Sequence, residues 1–177
     1  METLKEMFEE TLKDVYFAEN AILKALPKMA KKAQSEDLIE AFNDHVEETK
    51  EQVKRLDKIF KMIGSKAQGK PCPAMKGLVE ETEELIGEAG NGDLLDAGLI
   101  GCAQAVEHYE MARYGTLKAW AQQLELDEAV ELLDETLEEE KAADAKLTQL
   151  ALSGINAEAV SEDDDEEKSK SAGKRRM

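Results

Sequence analysis

Length, composition and charge exclude several classes of protein for this chain of 177 residues. The length suits one domain plus a tail, and a body of about 160 residues buries enough surface to fold without disulfides. Aromatic residues make up only 5% of the chain, which argues for long helices and against a sheet protein. The formal net charge of -17 argues against nucleic acid and anionic membranes as partners and favours cations, including metal ions.

The first half of the chain predicts two long helices joined by a short turn. Apolar residues recur at three- and four-residue steps over about residues 2–33 and again over about 36–63. Ser35 can cap the start of the second helix, and Gly64 can end it. The two helices should therefore form an antiparallel hairpin.

The second half predicts a short helix followed by a second hairpin. The short amphipathic helix covers about residues 74–89 and ends at a Gly-Asn-Gly sequence. Two long helices follow over about 94–124 and 127–152, and Asp93 can cap the first of them.

Two hairpins joined by one long crossover predict an all-α fold. This connection is that of a ferritin-like antiparallel four-helix bundle, with the short extra helix in the crossover between helices 2 and 3. We expect the bundle to occupy residues 1–156. Residues 157–177 are rich in charge and poor in apolar residues, which predicts a disordered tail.

Cysteine usage and hydropathy indicate the compartment. The two cysteines, Cys72 and Cys102, lack the spacing of a metal or redox motif and suit the reducing cytoplasm. The N-terminus has no apolar signal-peptide core, and no apolar run reaches the length of about 18 residues that a membrane span needs. We therefore expect a cytoplasmic protein without a membrane span.

Polar residues interrupt the apolar stripe of every long helix. An isolated buried carboxylate is costly, so several converging ones need a cation, protons or bases to balance them. Any single one has a simpler explanation, because a glutamate at the edge of a stripe usually reaches solvent. The interrupting residues are Glu19 in helix 1, His45, Glu48 and Gln52 in helix 2, Glu107, Glu110 and Tyr114 in helix 3, and Glu140 and Asp144 in helix 4.

The heights of these carboxylates along the bundle agree with one another. Glu19 and Glu48 lie at similar distances from the first turn, with a mismatch of roughly 3 Å at about 1.5 Å per residue. In the second hairpin the matched pairs are Glu110 with Glu140 and Glu107 with Asp144. The pattern predicts a cage for two divalent metal ions, with iron first and manganese second. Gln52 and Tyr114 could hydrogen-bond to the ligands.

The two histidines differ in their expected positions. His45 lies on the inner stripe one turn before Glu48, where it could be a metal ligand or, equally, a buried hydrogen-bonding residue. His108 lies about 100° around the helix from Glu107, which favours the surface. No Ser-His-Asp set or Gly-rich phosphate loop supports a hydrolase or a nucleotide enzyme.

Four ordered stretches resemble the YciF/YciE family of bacterial ferritin-like stress proteins, and the likeness covers about residues 2–155. It implies a ferritin-like bundle, a homodimer and a two-metal centre. The matching stretches are FNDHVEETKEQVKRL (42–56), PCPAMKGLVEE (71–81), CAQAVEHYEMARYGTL (102–117) and TLEEEKAADAKLTQLA (136–151).

The wider ferritin-like superfamily supplies Glu from helices 1 and 3 and a Glu-x-x-His from helices 2 and 4. By this resemblance the ligands are Glu19, Glu48, Glu107 or Glu110, and Glu140. The histidines depart from the pattern, because Glu51 and Ala143 stand at their positions. Asp144 could substitute on helix 4, so the implied site is rich in oxygen.

Three functions remain open from the sequence. The first is a di-iron or mixed-metal centre that reacts with dioxygen or peroxide under stress. The second is a non-catalytic helical scaffold or interaction dimer whose metal site is vestigial or empty. The third is iron storage in a hollow shell.

Overall fold

The computed structural model describes residues 1–90 and 92–160, and every regular element in this part is helical. None of the helices in these ranges combines the length and the apolar character needed to cross a membrane. The helices are α1 (Leu4–Lys32), α2 (Glu36–Met62), α3 (Pro73–Glu88), α4 (Asp93–Gln123) and α5 (Asp127–Leu150), followed by a π-helical turn (Ala151–Ile155).

Local capping explains where the helices begin and end. The side chain of Ser35 accepts a hydrogen bond from the backbone N–H of Leu38, which confirms the predicted cap of α2. Gly64 follows the end of α2 with a φ of +71°, a conformation that favours glycine, and confirms the predicted stop. Asp93 is the first residue of α4 and not its cap. Gly92 holds that position.

The helices pack as a ferritin-like bundle. Helix α1 lies against α2 and α4, helix α5 lies against the same two helices, and α3 covers α1 and α4 from outside. A side chain at Gly98 would bring its Cβ within 2.8 Å of Leu85, so this glycine permits the close approach of α3. Gly101 has no comparable neighbour among the described residues.

The apolar core is divided into two clusters at opposite ends of the bundle. We call them the first-turn cluster, beside the α1–α2 turn, and the second-turn cluster, beside the α4–α5 turn. Main members of the first-turn cluster are Ile22, Leu26, Leu38, Phe42, Leu95, Leu99, Ile100 and Leu147. Main members of the second-turn cluster are Phe8, Leu12, Leu56, Ile59, Phe60, Tyr114, Leu117 and Leu133.

A carboxylate of α4 joins the two hairpins at the first turn. The side chain of Asp96 is 1% exposed and accepts hydrogen bonds from the backbone N–H groups of Gln34 at 3.0 Å and Ser35 at 2.7 Å. These donors lie between α1 and α2, where no helical carbonyl is available to them. Local patterns in the sequence do not predict this contact.

The chain beyond α5 remains helical for longer than we expected. In place of the predicted end near residue 152 there is the π-helical turn, and the backbone is helical again over residues 156–160. Ile155 and Ala159 are buried, so this segment packs against the body. The predicted tail begins within it, and its remaining residues, 161–177, lie outside the described part.

Candidate metal centre

A layer of buried polar side chains separates the two apolar clusters at mid-height of the bundle. Helices α1 and α2 supply Glu19 and His45, α4 supplies Glu107 and Glu110, and α5 supplies Glu140. Each of these five residues is at most 6% exposed. Glu107 and Glu110 are one helical turn apart, so both face inward. We call these five residues the carboxylate cluster.

The ligand atoms of the carboxylate cluster lie close together. His45, Glu107, Glu110 and Glu140 each offer one atom within 4.8 Å of the atoms of the others. The Nε2 atom of His45 lies 3.3 Å from Oε1 of Glu107 and 3.7 Å from Oε2 of Glu140. Glu19 stands beside Glu110 and accepts a hydrogen bond from the hydroxyl of Tyr114. The carboxylate cluster therefore extends from Glu19, which contacts Tyr114, to His45 on the opposite side.

Many polar atoms of this layer have no hydrogen-bond partner among the described residues. When all the carboxyls are ionised, the contacts between them contain no donor, and the contacts of His45 Nε2 lack hydrogen-bond geometry. Each buried and unpaired polar group costs about 1–3 kcal/mol. The unpaired atoms are Oε2 of Glu19, Nε2 of His45, Oε1 of Gln52, Oε2 of Glu107, and both carboxyl oxygens of Glu110 and Glu140.

Burial shifts the titration of the four carboxyls. Burial raises the pKa of Glu19 to about 7, although its hydrogen bond with Tyr114 opposes the rise. Burial, with repulsion from neighbouring carboxylates, holds the pKa values of Glu110 and Glu140 well above their usual range. The pKa of Glu107 is also raised by burial, against the attraction of His45. Without a cation, the cluster therefore retains protons that an exposed cluster would lose.

His45 is oriented by a carboxylate outside the cluster. Its Nδ1 lies 3.1 Å from Oε2 of Glu48, so a protonated Nδ1 donates to that carboxylate and leaves Nε2 directed inward. Burial lowers the pKa of His45, but the bond with Glu48 and the charges of Glu107 and Glu19 outweigh it and raise the pKa. An imidazole held in this way is typical of metal sites.

The structure does not bring Glu48 into the cluster, where we had expected it. Its side chain is 48% exposed and reaches His45 from outside. The inner face of α2 follows His45, Thr49, Gln52 and Leu56, all buried, so Thr49 takes the inward position that we assigned to Glu48. Steps of four and three residues along a helix place these side chains on one face.

Asp144 also lies outside the cluster. It accepts a hydrogen bond from Nε2 of Gln104 at 3.0 Å, and its side chain is partly exposed. His108 approaches the same carboxylate from the surface, with 67% of its side chain exposed, which confirms its predicted position. On α5, Glu140 alone of the two predicted ligands faces the other carboxylates.

A polar network beside the cluster was not predicted. Gln52 is fully buried, and its Nε2 donates to Oε2 of Glu139 at 3.1 Å. Arg55 donates from both terminal nitrogens to Glu139, at 2.6 and 2.7 Å, and also reaches Glu135. This two-point contact fixes Glu139 and, through it, the amide of Gln52. The network joins two helices that are distant in sequence, so local patterns did not predict it.

Comparison with known proteins gives a family and a close relative. The family described as Domain of unknown function (DUF892) matches residues 3–160. Protein YciF of Escherichia coli (strain K12) is 44% identical over 160 residues, which cover 90% of this chain and 96% of YciF.

Solved structures agree with the bundle. The crystal structure of the E. coli stress protein YciF matches with a TM-score of 0.84 at 44% identity, covering 88% of this chain and 99% of YciF. YcfI from Rhodopseudomonas palustris, described as a candidate structural protein, matches with a TM-score of 0.81 at 48% identity, covering 83% and 94% of the two chains. A Xanthomonas campestris protein at 17% identity and TM-score 0.75, covering 92% and 99%, shows the same fold.

Proposed function

The chain belongs to the DUF892 family, in which it resembles the stress protein YciF, and from this premise we propose that it is a ferritin-like di-metal protein. The metal ions are iron first and manganese second, and the function is the handling of iron, dioxygen or peroxide under stress. The buried His and Glu group supports metal binding as such. The number of ions, their identity and the chemistry are part of the proposal.

The observation that carries the proposal is the set of unpaired polar atoms in one buried layer. A fold that needed only stability would fill this level with apolar side chains, as it does on either side. Carboxylate oxygens and an imidazole nitrogen are a donor set that suits iron and manganese. Bound cations would give these atoms the partners that the described residues do not supply.

The charge of the layer supports two ions rather than one. Glu19, Glu107, Glu110 and Glu140 carry four negative charges when ionised, and two divalent cations carry four positive charges. His45 in its neutral form would add a nitrogen ligand without changing that balance. With the cations bound, the carboxyls would no longer need to retain protons.

The surrounding residues would each have a definite part. Glu48 would keep the inward nitrogen of His45 free for metal, and Tyr114 would hold Glu19 in place by its hydrogen bond. The two apolar clusters would exclude bulk water from both ends of the site. Bound iron would supply the electrons for reduction of dioxygen or peroxide.

Metal analysis with matched variants tests the proposal. Full-length protein from iron-supplemented cells should hold about two metal equivalents per chain and oxidise added ferrous iron. The double variant Glu107→Gln/Glu140→Gln should lose both properties. The control Glu128→Gln/Glu131→Gln, which changes two exposed residues of α5, should keep them. Wild-type protein that neither binds metal nor oxidises ferrous iron would overturn the proposal.

The scaffold function is the second candidate, favoured by the structural role ascribed to YcfI. It predicts that the double variant retains every cellular property of the wild type. We also propose a homodimer, from the resemblance, and a cytoplasmic location, from the two unpatterned cysteines. Light scattering would distinguish a dimer from the hollow shell of an iron store.

A further inference from the structure

A cavity of about 120 Å³ lies between α2 and α5 and ends at the carboxylate cluster. Its inner wall includes His45 and Glu107, together with the buried apolar residues Phe42, Ala103 and Leu147. The inward nitrogen of His45 is 3.3 Å from Glu107, so a molecule in this cavity would lie next to the proposed metal ligands.

The outer part of the cavity is formed by exposed residues. Asp44, Glu48, Ala142 and Lys146 line it, and each of them is exposed. The Nζ atom of Lys146 lies 3.1 Å from Oδ2 of Asp44, so an ion pair joins α2 and α5 at the rim. An exposed pair of this kind is weak and can open. The cavity therefore connects the surface with the buried cluster.

Small side chains create this space. Alanines line the cavity from three helices, with Ala41 on α2, Ala103 on α4, and Ala142 and Ala143 on α5. A leucine at any of these positions would occupy much of the volume. On α5, Ala143 stands at the position where the superfamily pattern has a histidine. The missing histidine thus leaves room beside the cluster.

Size and polarity define what the cavity can hold. An apolar cavity of about 150 Å³ binds benzene or xenon, so about 120 Å³ suits a molecule of a few atoms. Between the polar rim and the cluster, the wall consists of Leu26, Phe42, Leu147 and alanines. A hydrated cation would lose its water there without gaining partners, whereas an apolar molecule loses little.

We propose that this cavity admits a small uncharged apolar molecule of the size of dioxygen and holds it beside the carboxylate cluster. The cavity as a binding site stands by itself. The role of the cavity as the path of the oxidant rests on the proposed di-metal function. If the cavity has this role, the oxidant in that function is dioxygen rather than peroxide.

Xenon is a suitable probe for the cavity because its binding needs no metal. In metal-free, full-length protein under xenon pressure, methyl NMR signals of Leu26, Ala103 and Leu147 should shift. The methyl signals of Leu117 and Leu133 in the second-turn cluster should not. Ala143→Leu should abolish the shifts, and Ala145→Leu, at an exposed site outside the cavity, should retain them. Absence of shifts in the wild type, or their persistence in Ala143→Leu, would overturn the proposal.

The rate of ferrous oxidation tests whether dioxygen reaches the cluster through the cavity. In the iron(II)-loaded protein, Ala143→Leu should slow oxidation by dissolved dioxygen about tenfold, equivalent to about 1.4 kcal/mol in the barrier, while iron binding stays unchanged. Ala145→Leu should react like the wild type. Equal rates in the two variants would overturn the path even if xenon binds.

Two further measurements keep the outcomes separate. If Ala143→Leu does not fold, as judged by circular dichroism, Ala143→Val should weaken the xenon shifts in a folded chain, and unchanged shifts would count against the cavity. If the wild type binds no iron, the di-metal function fails together with the oxidant path. The xenon experiment then still decides whether the cavity binds an apolar molecule.

Discussion

The two apolar clusters and the carboxylate cluster are built from the same four helices but differ in what their burial does to stability. At the ends, each fully buried apolar side chain stabilises the fold by about 1.5–3 kcal/mol. In the middle, four carboxyls and an imidazole are equally buried, and most of their inward atoms lack partners among the described residues. The apolar ends therefore hold the fold together, while the unpaired polar atoms in the middle lower its stability.

The largest effect should come from the apolar ends. Phe60 is fully buried and packs edge-on against Tyr16, with ring centroids 5.5 Å apart. Phe60→Ala should reduce the free energy of unfolding by about 3–5 kcal/mol, measured with urea. The metal content of the folded variant should stay at the wild-type level. A folded variant with no metal would contradict the division between ends and middle.

A substitution in the carboxylate cluster should instead increase the stability of the metal-free protein. Glu110→Gln removes a carboxyl that must retain a proton to stay buried, and this should increase the stability of the metal-free protein by about 1–3 kcal/mol near neutral pH. The same variant should lose the stabilisation that added metal gives the wild type. Thermal unfolding with and without metal measures both effects, and Glu131→Gln is the exposed control. A destabilised, metal-free Glu110→Gln would contradict the comparison.

The pH dependence of stability should show whether the buried carboxyls destabilise the metal-free protein. A glutamate with a raised pKa binds more protons in the folded state than in the unfolded state. Stability should therefore fall as pH rises from about 4.5 to about 7, the raised pKa of Glu19, and further as Glu110 and Glu140 titrate. The raised pKa of His45 acts in the same direction. Urea unfolding in the presence of a chelator should show this slope, and Glu110→Gln should flatten it.

A smaller effect should arise at the edge of the polar layer. Glu48→Gln weakens the contact that directs the imidazole of His45, so metal affinity should fall roughly ten- to a hundredfold. Stability without metal should hardly change, because the side chain is half exposed. Titration with ferrous iron measures the affinity, and Glu47→Gln is the neighbouring control. Equal affinities in the two variants would show that Glu48 does not orient the ligand.

The smallest effect should lie at the surface. Lys146→Ala breaks the exposed ion pair with Asp44 and should change the free energy of unfolding by less than about 1 kcal/mol. Urea unfolding checks this expectation. A larger loss would mean that the rim of the cavity contributes to stability as the apolar ends do.

Local signals made the fold predictable. Apolar periodicity located all five helices, and Ser35 and Gly64 marked the first turn and the loop because capping depends on neighbouring residues. The end of the last helix was not predictable in the same way. The π-helical turn over Ala151–Ile155 depends on packing of the following segment, which local sequence does not report.

The site was predictable in part, for a related reason. Periodicity selected Glu19, Glu110 and Glu140, which are buried together. A residue at the centre of an inward-facing stripe must point into the bundle, whatever its charge. It could not separate Glu48 from Thr49, because the two are adjacent on α2 and a rotation of the helix by part of a turn decides which of them faces inward. The contact of Arg55 with Glu139 depends on the spacing of two helices and gave no local signal.

The position of Asp96 has a consequence for how the chain assembles. The carboxylate belongs to the second hairpin, yet it accepts hydrogen bonds from backbone N–H groups in the turn of the first hairpin. An isolated first hairpin would leave those donors to water, so its turn is completed only by docking. The two halves should therefore form cooperatively, and a chain cut in the long connection should regain structure when its pieces are mixed.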